Sequence, residues 1–353
     1  MKSSVPNSEQ ALWPLEAWRG LAAWLVVYAH VYPLAGVDWP LLRFSYTGVD
    51  LFFALSGFVF APYFFDRQPA LKAYAVRRLF RIYPAYVVAL LVYSVLKWQT
   101  GGKLDYLWEH MLFAHLQSRE MAFHYNPAFW SLPAEVEFYL ALPLLTAWTR
   151  GNQRRVLLLL AAALILRLAL GQASSPSGQG AAFIWLHHLP GMGVEFMLGV
   201  LAWRLADRVK GWRQRTVLVL CGLAGWLGLA ALFAAWGDAG LNASLLRGQI
   251  SWLAALCFAA MLAGTASAGA QAPPRLIWLA QWAGKLSYGT YLLHMAALYL
   301  VQPHVGAWGG TTAVGLICVM TLTGAWMLHR WWEEPWRRLG RRLARRLQEQ
   351  PNQ

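Results

Sequence analysis

The chain has 353 residues, of which 58% are hydrophobic and only 13% charged, the latter about half the share found in a soluble domain. Such material does not cover a water-facing surface, so the composition excludes a soluble fold and points to a chain that crosses a bilayer repeatedly. A net charge of +14 would suit nucleic acid, but the cations cluster between apolar runs, and that placement excludes nucleic acid as the partner.

Apolar runs bounded by charges and turn residues predict ten transmembrane helices near 15–35, 46–65, 82–98, 128–148, 155–171, 183–204, 216–236, 249–268, 284–303 and 311–330. The expected fold is an all-α integral membrane bundle, one membrane domain over 1–346 followed by a short polar tail at 347–353. Arg19 interrupts the start of the first run and no small-residue cleavage site follows, so that run reads as a retained span rather than a signal peptide. Basic residues alternate between connections. Lys2 and Arg19 open one side, and most of the other cations follow the second, fourth and sixth spans, precede the ninth, or crowd the tail from Arg330 to Arg346. By the positive-inside rule both termini are cytoplasmic. The longest outer connection, 99–127, mixes both signs and is expected to carry an amphipathic segment lying on the outer surface. Cys221, Cys257 and Cys318 all fall inside apolar runs and read as packing residues, not as a disulfide framework or metal cage.

An ionisable group facing lipid at the bilayer centre costs about 2.5–3.5 kcal/mol on insertion scales, so those found inside the spans mark a polar interior. On the first span, Arg19 and His30 are eleven positions apart, which puts them within about 20° of one helix face and about 16 Å apart along it. That face carries a permanent cation near the cytoplasm and, deeper, an imidazole suited to move a proton near neutral pH. Asp50 and Ser56 are polar groups on the second span. Arg77, Arg78 and Arg81 are expected just before the third helix, where arginines serve either as topology determinants or as bidentate phosphate ligands. On the fourth span Ser131, Glu135 and Tyr139 share a face, and a pairing of Glu135 with His30 is feasible. Glu137 and Arg167 read as structural. His187 and His188, then Pro190, Gly191, Gly193 and Glu195, predict an interrupted helix, which membranes accept where it borders a cavity. Ser287, Tyr291 and His294 share a face of the ninth span. No pair of histidines has the spacing of a metal-ligand motif, so no metal is expected. No phosphate-binding glycine loop or dinucleotide fingerprint occurs either.

These segments, taken in order, resemble the acyltransferase 3 family of integral membrane enzymes. Leu15 to His30 (LEAWRGLAAWLVVYAH) is similar to the family's first helix, with its Arg and His matched by Arg19 and His30. Gly48 to Phe58 (GVDLFFALSGF), the RRLFRIYP run with Arg78 and Arg81, and Trp130 to Tyr139 (WSLPAEVEFY), which places the family's acid on Glu135, resemble the next three motifs. Ser287 to His294 (SYGTYLLH) and Glu333 to Pro335 resemble the closing ones. Pro133 and Ala134 depart from the commoner Ser-Val before the acid. The extra helix and esterase-like domain that many members append are not expected after the basic tail.

The resemblance implies transfer of an acyl group, most often acetyl, from acyl-CoA to a hydroxyl of a bacterial cell-surface or exported saccharide, in the bacterial inner membrane. CoA would be a co-substrate, with no permanently bound cofactor. It would be held by Arg78 and Arg81 with Arg19, and His30 would act as general base with Glu135 orienting it, or would carry the acyl group covalently. Asp50, Ser56, Ser131, Tyr139, Ser287, Tyr291 and His294 would bind the acceptor, a saccharide or lipid-linked saccharide. A transporter of a sugar or ion also places acids and histidines at the membrane midplane and breaks its helices. It leaves the arginine cluster without a role.

Overall fold

The structure is a computed structural model describing residues 13–36, 39–66, 68–175, 180–266 and 272–349; Lys2, Arg67 and the last four residues of the tail lie outside it. Sixteen α-helices are described: α1 (Trp13–Val31), α2 (Pro40–Phe44), α3 (Gly48–Phe65), α4 (Leu71–Gln99), α5 (Leu107–Met111), α6 (Arg119–Ala122), α7 (Ser131–Thr149) and α8 (Gln153–Ala173) form the first half. The second half holds α9 (Ala181–His187), α10 (Leu189–Arg208), α11 (Trp212–Asn242), α12 (Ile250–Thr265), α13 (Pro274–Val301), α14 (Val305–Trp308), α15 (Gly310–Leu328) and α16 (Glu334–Glu349). No strand occurs among the described residues. Each expected span falls on helix, and six helical stretches are long and apolar enough by themselves to cross a membrane. The stretches outside that set are α1, α7, α12 and α13. Of these, α12 has only 16 residues, and the other three carry Arg19, His30, Glu135, Glu137 and His294 in their apolar runs.

Two boundaries differ from the sequence expectation and one break agrees with it. The third span begins at Leu71, not 82, because residues 71–81 are mostly good helix formers that extend the helix beyond the apolar run. Arg77, Arg78 and Arg81 therefore project from inside α4. The sixth span is broken as expected, with His188 in extended backbone between α9 and α10. The basic tail is itself a helix, α16, joined to α15 by a π-helical turn at His329–Glu333.

Small residues let the central helices touch backbone to backbone, the usual basis of helix association in lipid. A Cβ on Gly57 of α3 would stand 1.9 Å from the Phe196 carbonyl oxygen of α10, and one on Gly199 of α10 would stand 1.9 Å from that of Ala54. Phe196 then stacks on Phe138 of α7 at 4.0 Å between ring centroids. In the same way Gly20 of α1 lies against Ala283 of α13. The peripheral helices behave oppositely. Only 17% of the apolar window of α8 and 22% of that of α11 is buried, leaving Leu158, Ile165, Val217 and Leu220 outward as a lipid-facing surface. Cys221 is exposed on α11, and all three cysteines are free.

The 99–127 connection is not a single amphipathic segment on the surface. It folds into α5 and α6 around His110 and His115, whose rings stack at 4.0 Å, 7° from parallel. Each ring donates through Nε2 to a carbonyl, His110 to Met121 at 3.0 Å and His115 to Phe129 at 3.1 Å. Tyr86 of α4 donates to the His110 carbonyl at 2.9 Å.

Burial, with each ring's opposition to a charge on the other, pushes His110 down to about 3, and burial pushes His115 down to about 4. An unfolded segment takes up protons from about pH 6.5 downward, whereas the folded segment keeps both rings neutral. Stability present above that pH is therefore lost as the pH falls towards these lowered values. After correction for the slowing of intrinsic exchange at lower pH, protection of the 107–130 amides should fall between pH 7.5 and pH 5 more than protection in α3 or α10; an equal change would contradict this account.

The α3–α10 contact gives a second prediction. Gly57→Val or Gly199→Val should destabilise the protein by about 1–3 kcal/mol or more, read as a lower melting temperature in detergent. Gly228→Ala on α11, where nothing lies within 4 Å, should be neutral. Equal effects at all three positions would show that the contact is not limiting.

Candidate functional site

A pocket of about 80 Å³ lies between α1, α3, α4, α7 and α13. Nine residues singled out from the sequence line it: Arg19, Ser56, Arg78, Arg81, Ser131, Glu135, Tyr139, Ser287 and Tyr291. Helical spacing accounts for the convergence, since Ser131, Glu135 and Tyr139 fall on one face of α7, and Ser287 and Tyr291 on one face of α13. Val49, Phe52, Phe53, Leu55 and Phe60 supply an apolar wall from α3.

Glu135 is the hub of the polar contacts. One carboxylate oxygen accepts from Ser56 Oγ at 3.1 Å and from the Tyr139 hydroxyl. The Tyr291 hydroxyl donates to the Ala128 carbonyl at 2.5 Å, so its 2.6 Å contact with Ser131 Oγ is donated by the serine. The Arg78 guanidinium lies over the Phe60 ring at 4.9 Å and the Tyr139 ring at 5.8 Å, with its Nε buried and unpartnered. Arg19 pairs with Glu16 of its own helix. Arg81 lies within electrostatic reach of Glu16, Glu135 and Glu333.

His30 and Glu135 are not partners. The imidazole of His30 packs instead on His294 of α13, with ring centroids 5.1 Å apart. His30 Nδ1 donates to the Val26 carbonyl at 2.8 Å and His294 Nδ1 to the Tyr291 carbonyl at 2.8 Å, which leaves each Nε2 as the bare acceptor nitrogen of a neutral ring. The His294 Nε2 is buried without a partner. This pair stands next to the pocket, since the Tyr291 ring that lines the pocket is 6.0 Å from that of His294.

Asp50 is also elsewhere. It lines a second cavity of about 260 Å³ with Tyr46, Trp130, Arg167 and His187, and Val49 is the residue common to both cavities. Asp50 points to the opposite side because it precedes Ser56 by six positions, about 240° around the helix. Arg167 approaches Glu195 at 4.0 Å and donates to the carbonyls of Gly248, Leu186 and Gly191 at 2.7, 3.2 and 3.2 Å. It thus satisfies backbone released by the α9–α10 break. Glu137 holds the other side of the same break, accepting from His188 Nδ1 at 2.5 Å and from the Leu189 N–H at 2.7 Å. The structural reading of Arg167 and Glu137 agrees with these contacts.

Sequence reasoning missed the outer half of the site. A wider cavity of about 820 Å³ adjoins the pocket, sharing Arg19, Arg81, Ser287 and Tyr288 with it, and is closed by α16 with Arg337, Arg341 and Arg345. The signal was present as arginines at four-residue spacing in the tail, which were read only as an orientation marker.

The acyltransferase 3 family model, which describes an acyltransferase domain, matches residues 14–330. Nodulation protein 10 of Rhizobium leguminosarum bv. viciae is 28% identical over 320 residues, which is 82% of this chain and 84% of that protein. The putative acetyltransferase ORF330 of Acidianus two-tailed virus is 32% identical over 135 residues, 36% of this chain and 38% of that one. No solved structure matches the chain.

Proposed function

The chain belongs to the acyltransferase 3 family and is an acyl-transferring membrane enzyme, and from that premise we propose that it moves an acetyl group from acetyl-CoA to a hydroxyl of a cell-surface or exported saccharide. The observation that carries this reading is the convergence of nine polar and basic residues on one pocket that opens into a basic cavity. A thioester-bearing arm fits such a path, with a cluster of cations at the wide end and serine and tyrosine hydroxyls among the groups at the narrow one. The word acetyltransferase in the viral relative's name favours the acetyl group.

In this reading the thioester lies among Ser56, Ser131, Glu135 and Tyr291, and the acceptor approaches from the His30–His294 side. His30 Nε2 takes the proton of the acceptor hydroxyl as its oxygen attacks the thioester carbonyl. The C–S bond breaks, and the CoA thiolate leaves and takes up the proton that His30 Nε2 had removed, which restores the neutral ring. The Val26 carbonyl, in place of Glu135, orients the His30 ring and holds its tautomer. Glu135 instead fixes Ser56 and Tyr139 around the donor.

His30→Ala should leave acetyl-CoA binding near normal and lower acetyl-CoA hydrolysis and labelled acetyl transfer by about 10²–10⁴-fold. Adding His294→Ala should cost little more, because residues that act as one unit fail together. Retention of most transfer by His30→Ala would overturn the assignment.

The same reading requires ten crossings of a bacterial inner membrane, both termini in the cytoplasm and the basic cavity facing that side. Labelling of single cysteines should find positions 72, 210 and 345 accessible from the cytoplasm and 103 and 117 from outside. A tail accessible only from outside would remove the donor geometry.

A further inference from the structure

The wide cavity is lined by more cations than acids. Arg337 pairs with Glu333 at 3.3 Å, Glu334 pairs with Arg338 at 2.9 Å and Arg341 at 2.8 Å, and Arg19 pairs with Glu16. Arg81, Lys285, Arg330 and Arg345 line the same cavity with no ion pair among the described residues. Gathering like charges around one space is unfavourable until an anion fills it.

The arrangement is held in place rather than loosely tethered. Gly340 and Ala344 of α16 are buried, and a Cβ on Gly340 would stand 2.5 Å from Phe80 Cβ of α4. Trp336 meets Phe80 at 5.8 Å between rings, and Trp332 donates to the Pro84 carbonyl at 2.9 Å. With 340 and 344 against α4, positions 337, 341 and 345 stack along the cavity side of α16. Trp282 of α13 adds an aromatic ring to the lining, with Lys285 Nζ 5.2 Å from its centroid. Multiple phosphate ligands beside an aromatic face are the groups that recognise a phosphorylated nucleotide.

We propose that α16 and the Trp282–Lys285 turn of α13 form the site for the 3′-phosphorylated ADP end of CoA. Arg337, Arg341, Arg345 and Lys285 engage the phosphates and Trp282 stacks on adenine. The arm then passes Arg19 and Arg81, the residues common to both cavities, to bring the thioester to Glu135. This assignment rests on the acyl-CoA reading above and adds to it a recognition element whose α16 part lies outside the residues matched by the family model, which end at 330.

The test is the affinity of the full-length protein, measured calorimetrically, for acetyl-CoA, acetyl-dephospho-CoA lacking the 3′-phosphate, and acetyl-pantetheine lacking the nucleotide. Arg341→Ala and Arg345→Ala should each weaken acetyl-CoA about tenfold, the scale of one lost charged hydrogen bond. Their effect should shrink with the dephospho compound and vanish with acetyl-pantetheine. Arg→Lys should recover part of the loss, and an unchanged melting temperature guards against misfolding. Equal losses for all three compounds, or none for any, would overturn the assignment while leaving acyl-CoA as donor. If the wild-type protein binds none of the three, the donor reading fails and this site with it. The measurements are repeated in phosphatidylcholine vesicles with and without phosphatidylglycerol. A loss that persists without the anionic lipid supports the nucleotide site, and a loss seen only with it assigns the arginines to lipid headgroups and overturns the proposal.

Discussion

The organisation of this protein depends on one constraint: inside an apolar bundle, a polar group without a partner costs several kcal/mol. Where the chain breaks a helix or buries a charge, something nearby must answer for it. The α9–α10 interruption shows how local the answer is. Arg167 donates to the Leu186 and Gly191 carbonyls on either side of the break, and Glu137 accepts from His188 and the Leu189 N–H. Buried polar atoms without a hydrogen-bond partner remain at several places, Arg204 Nε and Thr321 Oγ1 among them, and two stand at the site. Arg78 Nε and His294 Nε2 are buried with no partner, and both belong to the pocket or the histidine pair beside it.

The same constraint explains why three of the five helices around the pocket are not among the most apolar. The helices α1, α7 and α13 fall outside the most apolar set because they hold the ionisable groups. Such helices do not face lipid freely, and they line the interior while α8 and α11 take the periphery. Glycine brings the backbones close at the α3–α10 and α1–α13 contacts, and short side chains meet across the pocket between α3 and α7, where Ser56 and Glu135 are 3.1 Å apart.

Much of this was legible in the sequence, for identifiable reasons. Apolar periodicity located helix in every expected span, and helical spacing grouped Ser131 with Glu135 and Tyr139. What spacing does not encode is azimuth between helices. Thus His30 was matched to Glu135 by depth, whereas the rotation of α1 against α13 presents it to His294. Asp50 was grouped with Ser56 because both lie on one motif, although six residues of helix turn them to different cavities. The start of α4 and the existence of α16 were missed because hydropathy reports the membrane's edge, while helix propensity carries the chain past it.

The two cavities differ in a way that separates the ends of a donor molecule. The outer one, at about 820 Å³, is lined by arginines. The inner one, at about 80 Å³, has Glu135, several hydroxyls, the arginines Arg19, Arg78 and Arg81 on one side and a wall of Val49, Phe52, Phe53 and Leu55 on another. A phosphate entering the inner pocket would give up its hydration in a space of about 80 Å³ walled by apolar side chains, whereas Arg19 and Arg81 can meet it from the outer cavity. A thin neutral arm loses little by the same move. The Arg19 and Arg81 side chains, shared by both cavities, stand where that difference in cost begins. They fix how far a polyanionic carrier advances, and so how far beyond them its acyl group can reach.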